Sequence, residues 1–384
     1  MRHYQGPAVF SFGFRPFFLF ASAWAAVSVL LWVMTYVSGP LLGTAHLSLE
    51  WHMHEMVFGY LGGVIAGFLL TAVPNWTGRY PVTGTRLIAL FSLWVLGRIV
   101  MLLPPSFQAV SAVLDSLFLI TLASVIAREV ITGKNWRNLP VALMTSLLAI
   151  AHIAFHLGWR EIALHGALAV VMMLTALIGG RIVPSFTRNY LIKQKSPSLP
   201  ALPDRRDGLV LGITALAMAG WALWPHNALV GGLLLLAGAA NLWRLSRWQG
   251  LRTHAEALVW ILHVGYGWLG LGLVLLGLSG LIPDYVPHTA GTHAMTACAF
   301  GVMTLAVMTR ASLGHTGRVL HAGTGTVLIY VLINLAAMTR VASALIPALH
   351  IPLMLISVSA WVCAFTAFVL VYGPRLLQPK LRAA

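Results

Sequence analysis

The sequence predicts an all-α integral membrane protein with about twelve transmembrane helices, and three observations carry that expectation. Hydrophobic residues fill 59% of the 384 positions and charged residues 9%. Mean hydropathy is +0.85, a balance that no water-soluble domain of this length sustains. Twelve apolar runs are long enough to span a bilayer, and Gly/Pro/Asn/Trp stretches such as GRYPVTG and LIPDYVPHTAG separate them.

In chain order the runs fall at about 17–38, 52–74, 86–103, 107–131, 138–157, 162–187, 208–224, 227–246, 255–281, 289–311, 319–346 and 350–373. The first follows MRHYQGPAVFSFGFRPFF, which holds no small-residue cleavage site and therefore reads as leading into an uncleaved anchor. The only sizeable polar segment, RNYLIKQKSPSLPALPDRRD, joins the sixth and seventh runs, so a single polytopic membrane domain is expected over 1–384. The second, sixth and tenth runs begin near His54, His165 and His293 and end in related text, VPNWTGR, VPSFTRN and MTRASLGHTGR. This suggests three groups of four helices, over about 1–131, 138–246 and 255–373.

A net charge of +15 would suit a nucleic-acid partner, but the basic residues lie between apolar runs and form no dense patch. The loop-charge rule accounts for them instead. Arg79, Arg86, Lys134, Arg137, Arg188, Arg205, Arg318 and Arg375 fall on the side of the termini, and the opposite loops hold little more than Arg160. Both termini are therefore expected in the cytoplasm. Cys298 and Cys363 both sit in apolar runs and offer neither CxxCH nor a thiolate cluster.

The second run organises the chain. It opens with Trp51-His52-Met53-His54-Glu55-Met56 and closes with Pro74-Asn75-Trp76-Thr77-Gly78-Arg79. Ligand-type side chains within a bilayer are expensive and mark functional candidates. A helix turns about 100° per residue, so His52 and His54 point to nearly opposite sides while His52 and Glu55 share one. One unbroken helix then serves two centres better than one. Neutral imidazole is the commonest haem and transition-metal ligand, so His52, His54, His165 and His293 are the first candidates. His46, His226, His288 and His350 lie in or beside loops and read as hydrogen-bonded interface residues. His3 falls near the N-terminus, on the opposite side. His152 and His156 share one helical face and rank behind as residues that could line the site.

Glu55 is the one carboxylate beside the histidines. It suits a metal ligand, a proton carrier or a helix N-terminal acid. Arg98, Arg340 and Asp115 lie inside the third, eleventh and fourth runs. A buried guanidinium needs a carboxylate, which a haem propionate or Asp115 itself would supply. The Thr, Asn and Arg of the knots at the other ends of the helices suit backbone groups freed by Pro or Gly, with an anion site as the sharper reading. His263, in HVGYGW, reads equally as a second-site ligand or a core histidine.

Three strings, WHMHEM…GFLLTAVPNWTGR, GGRIVPSFTRNYL and HAMTACAFGVMTLAVMTRASLGHTGR, resemble those of the NnrS family of bacterial membrane proteins, and the similarity runs nearly end to end. The resemblance implies a polytopic protein containing haem and copper and linked to nitric oxide and nitrosative stress. It makes His52, His54, His263, His293 and His315 the ligand candidates. A looser architectural similarity is to haem–copper oxidases and the related nitric-oxide reductases, whose ligands lie on their second, sixth, seventh and tenth helices. His54, His165 and His293 fall on three of these, but the His-His pair of the seventh helix is missing.

The expected function is therefore an inner-membrane metalloprotein with haem b, and with copper or a second iron or haem, that binds nitric oxide and reduces it to N2O. A quinol or a separate redox protein would donate electrons, and Arg98 and Arg340 would hold propionates. The rival readings are a non-catalytic nitric-oxide sensor or buffer, and a transporter built from inverted repeats.

Overall fold

The computed structural model describes residues 4–39 and 47–381, so His3 and His46 lie outside the described residues. Every regular element among them is helical. Twelve long helices follow one another: α1 Phe14–Ser38, α2 Leu49–Thr77, α3 Thr85–Val100, α4 Gln108–Thr132, α5 Leu139–His156, α6 Arg160–Lys193, α7 Arg205–Leu223, α8 Ala228–Ser246, α9 Ala257–Leu281, α10 His288–His315, α11 Thr324–Leu345 and α12 His350–Leu377. Eleven are long and apolar enough to cross a membrane, which makes the chain a multi-pass membrane protein. The exception is α3, whose 16 residues fall short of the roughly 20 a span needs. The sequence expects this helix to reach 103, but its last turn dissolves into Met101–Leu103 ahead of Pro104 and Pro105.

Three helices that contain a proline outrun their apolar patterns. α2 continues past Pro74 to Thr77, α12 through Pro374 to Leu377, and α6, with Pro184 inside it, to Lys193. Pro74 has no N–H to donate. Next to it Asn75 Nδ2 donates to the Thr71 carbonyl (3.1 Å), and Thr77 Oγ1 to that of Val73 (2.9 Å).

α2 and α10 share an unusual feature. Each begins as six residues of α-helix ending in a histidine, widens into seven residues of π-helix, and resumes α-helix at a glycine. In α2 the wide turns are Glu55–Leu61, after His54 and before Gly62; in α10 they are Ala294–Phe300, after His293 and before Gly301. A π-segment accommodates an extra residue and re-aims the side chains at its start.

The chain divides into two compact units. The first comprises 1–170, 312–318 and 365–384. In it α1 packs along α2, α3 along α4, and α4 along both α2 and α5. Its core is aromatic, with Phe14, Phe17, Phe18, Phe58 and Phe118 almost fully buried. The end of α12 closes it: buried Arg15 donates from Nη1 to the carbonyls of Leu376 (2.8 Å) and Gln378 (2.6 Å). The second unit comprises 171–311 and 319–364. There α8 and α9 touch backbone to backbone: a Cβ on Gly238 would lie 2.8 Å from the Gly270 carbonyl, and one on Gly231 2.9 Å from that of Gly277. Behind that seam Arg244 is buried against Asp207 (Nε–Oδ1 2.7 Å) and the Tyr266 hydroxyl (2.9 Å). Tyr266 in turn donates to Asn241. A buried guanidinium so fully matched ties α7, α8 and α9 together.

Candidate metal centre

Four ligand-type side chains converge in the first unit. They are His54 at the start of the α2 π-segment, Asp115 on α4, and His152 and His156 one turn apart on α5. Their donor atoms all lie within 4.8 Å of one another. His54 Nε2 is 2.9 Å from His152 Nε2 and 3.1 Å from Asp115 Oδ2; His152 Nε2 and His156 Nε2 stand 3.0 and 3.3 Å from the same oxygen. A tetrahedral ion with bonds of about 2.0–2.1 Å keeps its donors roughly 3.3 Å apart, so the cluster is already near the size such an ion requires.

A second layer holds the donors. His54 Nδ1–H donates to Glu55 Oε1 (3.0 Å), which leaves the Nε2 lone pair facing the other ligands. Glu55 Oε2 accepts from Trp24 Nε1 (2.7 Å) and from Arg98. The other arm of Arg98 donates from Nη2 to Asp115 Oδ1 at 2.5 Å. Arg98 thus bridges the carboxylate that orients His54 and the carboxylate that joins the donors. His54, Glu55 and Asp115 are wholly buried, and His152 and Arg98 nearly so. Phe58 stacks on the His152 ring at 4.5 Å, and Phe155 lies 5.0 Å from that of His54.

Small residues make this approach possible. A Cβ on Gly59 would land on Arg98 Nη1 and 2.8 Å from Glu55 Oε2, and one on Gly97 would land on Asp115 Oδ1. With both carboxylates ionised and the imidazoles neutral, the cluster carries two negative charges against one guanidinium. In a low-dielectric interior that surplus favours a cation. His152 Nδ1 is buried with no hydrogen-bond partner, so the polar contacts of its ring are all on the donor face.

Three imidazole nitrogens and one carboxylate oxygen fit a divalent first-row ion such as zinc, copper or iron. They do not fit a porphyrin, whose plane would have to pass between donors already 2.9–3.3 Å apart. A haem in this protein would need other ligands.

The remaining sequence candidates have their own surroundings. His52 lies on the other flank of α2, its ring stacked on Trp32 at 4.2 Å. Glu55, which helical spacing puts beside His52, instead turns its carboxylate to His54 and Arg98, where α-helix gives way to π-helix. His165 is half-buried on α6. His263 donates from Nε2 to Thr187 Oγ1 (2.7 Å), whose own proton goes to Val183. His293 Nε2 accepts from Arg340 Nη2 at 2.5 Å. His315 is exposed, with its ring 5.5 Å from that of Phe14. Arg98 serves the chain's own carboxylates, the Asp115 alternative to a propionate. His152 and His156, which rank behind the other histidines in the sequence, are the two that the structure brings to His54 and Asp115, and their i, i+4 spacing is the signal for it.

Fold and site define a multi-pass helical membrane protein with a buried His/Asp cluster able to hold a metal. The family model described as NnrS protein matches residues 8–380, and the chain belongs to that family. Membership and the cluster together support a membrane metalloprotein linked to nitric oxide. No curated protein matches the chain.

Proposed function

We propose that this chain is an inner-membrane metalloprotein, with cytoplasmic termini, that binds nitric oxide at the His54–Asp115–His152–His156 centre and reduces it to N2O. The observation that carries the reading is the convergence of three Nε2 atoms and one Oδ2 on one ion-sized volume, in a chain of this family. When bound, the metal would supply a redox-active position for a small uncharged diatomic; the family resemblance favours copper or iron there. Haem b would be a separate group, with His52, His263 and His315 the candidates to hold it; His293 joins them if Arg340 leaves its imidazole for a propionate.

The chain's own residues divide the remaining work. Four protein donors fill a tetrahedral ion, so a substrate needs one of them to yield. His156 is the one placed to do so, since its side chain is 10% exposed and its contact with Asp115 is the longest of the set. Phe58 and Phe155 keep water from the inner donors. Glu55 stands behind His54 and orients its ring, so protons reach the site by way of His156 at the rim. Two nitric oxide molecules take up two electrons and two protons to give N2O and water. A quinol or a separate redox protein supplies the electrons.

The test is N2O production by gas chromatography from purified protein with an artificial reductant, beside metal content. In Glu55→Gln, N2O formation and metal content fall together if Glu55 orients His54; a loss of N2O alone restores its proton-carrying role. A closed four-ligand site also suits a protein that senses or buffers nitric oxide without turnover. That reading replaces ours if nitric oxide binds and no N2O forms with any donor.

A further inference from the structure

A second polar site lies at the opposite end of α2. Where α2 and α4 end and α3 begins, a pocket of about 670 Å³ is lined by the loop 78–85 together with Arg86, Arg128 and Glu129. Arg79, from the loop, and Arg128 both bind the buried carboxylate of Glu129, Arg128 through Nη2–Oε1 at 2.6 Å. Three arginines and one carboxylate therefore line the pocket, and that carboxylate holds two of the guanidinium groups in place.

Arg86 is exposed and makes no hydrogen bond or ion pair among the described residues. The hydroxyls of Thr83 and Thr85 are likewise unused. Thr85 and Arg86 open α3, whose first amides find no acceptor within the helix and point with its dipole toward the pocket. Gly84 sets that geometry with φ +63°, and its N–H donates to the Phe10 carbonyl. The pocket thus offers forked donors, hydroxyls, free amides and net positive charge. That is the chemistry of a phosphate group.

We propose that this pocket binds a phosphate-bearing anion: the headgroup of an anionic phospholipid or a free phosphate. The pocket's level in the fold favours a lipid. It lies where three helices of a multi-pass membrane protein end, the depth at which basic pockets meet headgroups. Tyr80, 80% exposed on its rim beside Pro81 and Val82, is the interfacial aromatic such a ligand would lie against.

The experiment uses the purified full chain in nanodiscs of phosphatidylcholine with a minor share of phosphatidylglycerol, counting retained lipid by native mass spectrometry. A parallel arm titrates inorganic phosphate against thermal unfolding in detergent. Wild type should retain phosphatidylglycerol in preference to phosphatidylcholine. Arg86→Ala should lower that preference about tenfold, the worth of one charge-assisted contact. Arg86→Lys should recover part of it, and Arg137→Ala, outside the pocket, none of the loss. Wild-type metal content in Arg86→Ala shows that the variant folds. Stabilisation by phosphate that Arg86→Ala abolishes, without lipid preference, upholds the site with a free anion as its ligand. Equal retention of both lipids together with no phosphate effect overturns the proposal, as does an Arg86→Ala variant that behaves as wild type in both arms.

Discussion

The π-helical segments of α2 and α10 use one backbone device for two chemistries. Both widen immediately after a histidine and return to α-helix at a glycine. After His54 comes Glu55, which takes the Nδ1–H of that ring and joins Asp115 in satisfying Arg98. After His293 comes Ala294, and Arg340 donates directly to the imidazole Nε2. Five residues past each histidine the difference repeats. Gly59 leaves room for Arg98, whereas Cys298 fills the space and donates its S–H to the Ala337 carbonyl at 3.3 Å. What separates the segments is therefore the presence of carboxylates. Where they absorb the guanidinium, the imidazole keeps a lone pair for an ion; where they do not, the guanidinium takes it.

The largest effect should come from Asp115. Asp115→Ala removes an anionic donor and half of the neutralisation of Arg98, leaving a buried charge short of a partner. Bound metal should be lost, and stability should fall by about 3–5 kcal/mol, read by elemental analysis and thermal unfolding. His54→Ala should likewise empty this centre, while His293→Ala leaves its metal content at the wild-type level. Equal losses of the same metal in both variants would break the contrast between the two segments. Gly59→Ala should push Arg98 off Glu55 and weaken metal affinity about 10-fold or more, the range for outer partners of metal ligands, measured by chelator competition. Trp24→Phe removes one hydrogen bond to the Glu55 carboxylate, a loss of about 2 kcal/mol that leaves the metal in place. Smallest of all, Cys298→Ala loses only a weak S–H bond and should change neither metal content nor the temperature of unfolding beyond a degree or two.

The helices were legible because burial in lipid writes itself as long apolar runs; their number and order carry into α1–α12, although α3 falls short of a span. The ends were less so. Pro74 stands where the second run is expected to end, yet α2 continues to Thr77, and α12 likewise passes Pro374 to reach Leu377. At the centre, His54 and Glu55 stood out as polar groups inside an apolar run, and Asp115 was available to Arg98 as one of two partners. The third and fourth donors were harder to find. His152 and His156 share a face by simple helical spacing, but which helix that face meets depends on α5 packing on α4, for which no local pattern exists. The π-turns left no mark either, since neither EMVFGYL nor AMTACAF contains proline. Helical counting at 3.6 residues per turn consequently misjudged where Glu55 points.

The Arg15 clasp bears on how the protein is made. All four donors of the centre are in the nascent chain once His156 is synthesised, yet the carbonyls that receive Arg15 belong to Leu376 and Gln378. Through the insertion of α6 to α11, the guanidinium at the head of α1 has no such acceptors, and the helix that presents Trp24 to Glu55 is not yet anchored at that end. Ligands are thus complete early and the unit around them late. A nascent chain arrested before α12 ends would carry every donor on an unsealed scaffold, exposed to whichever ion the cell offers first.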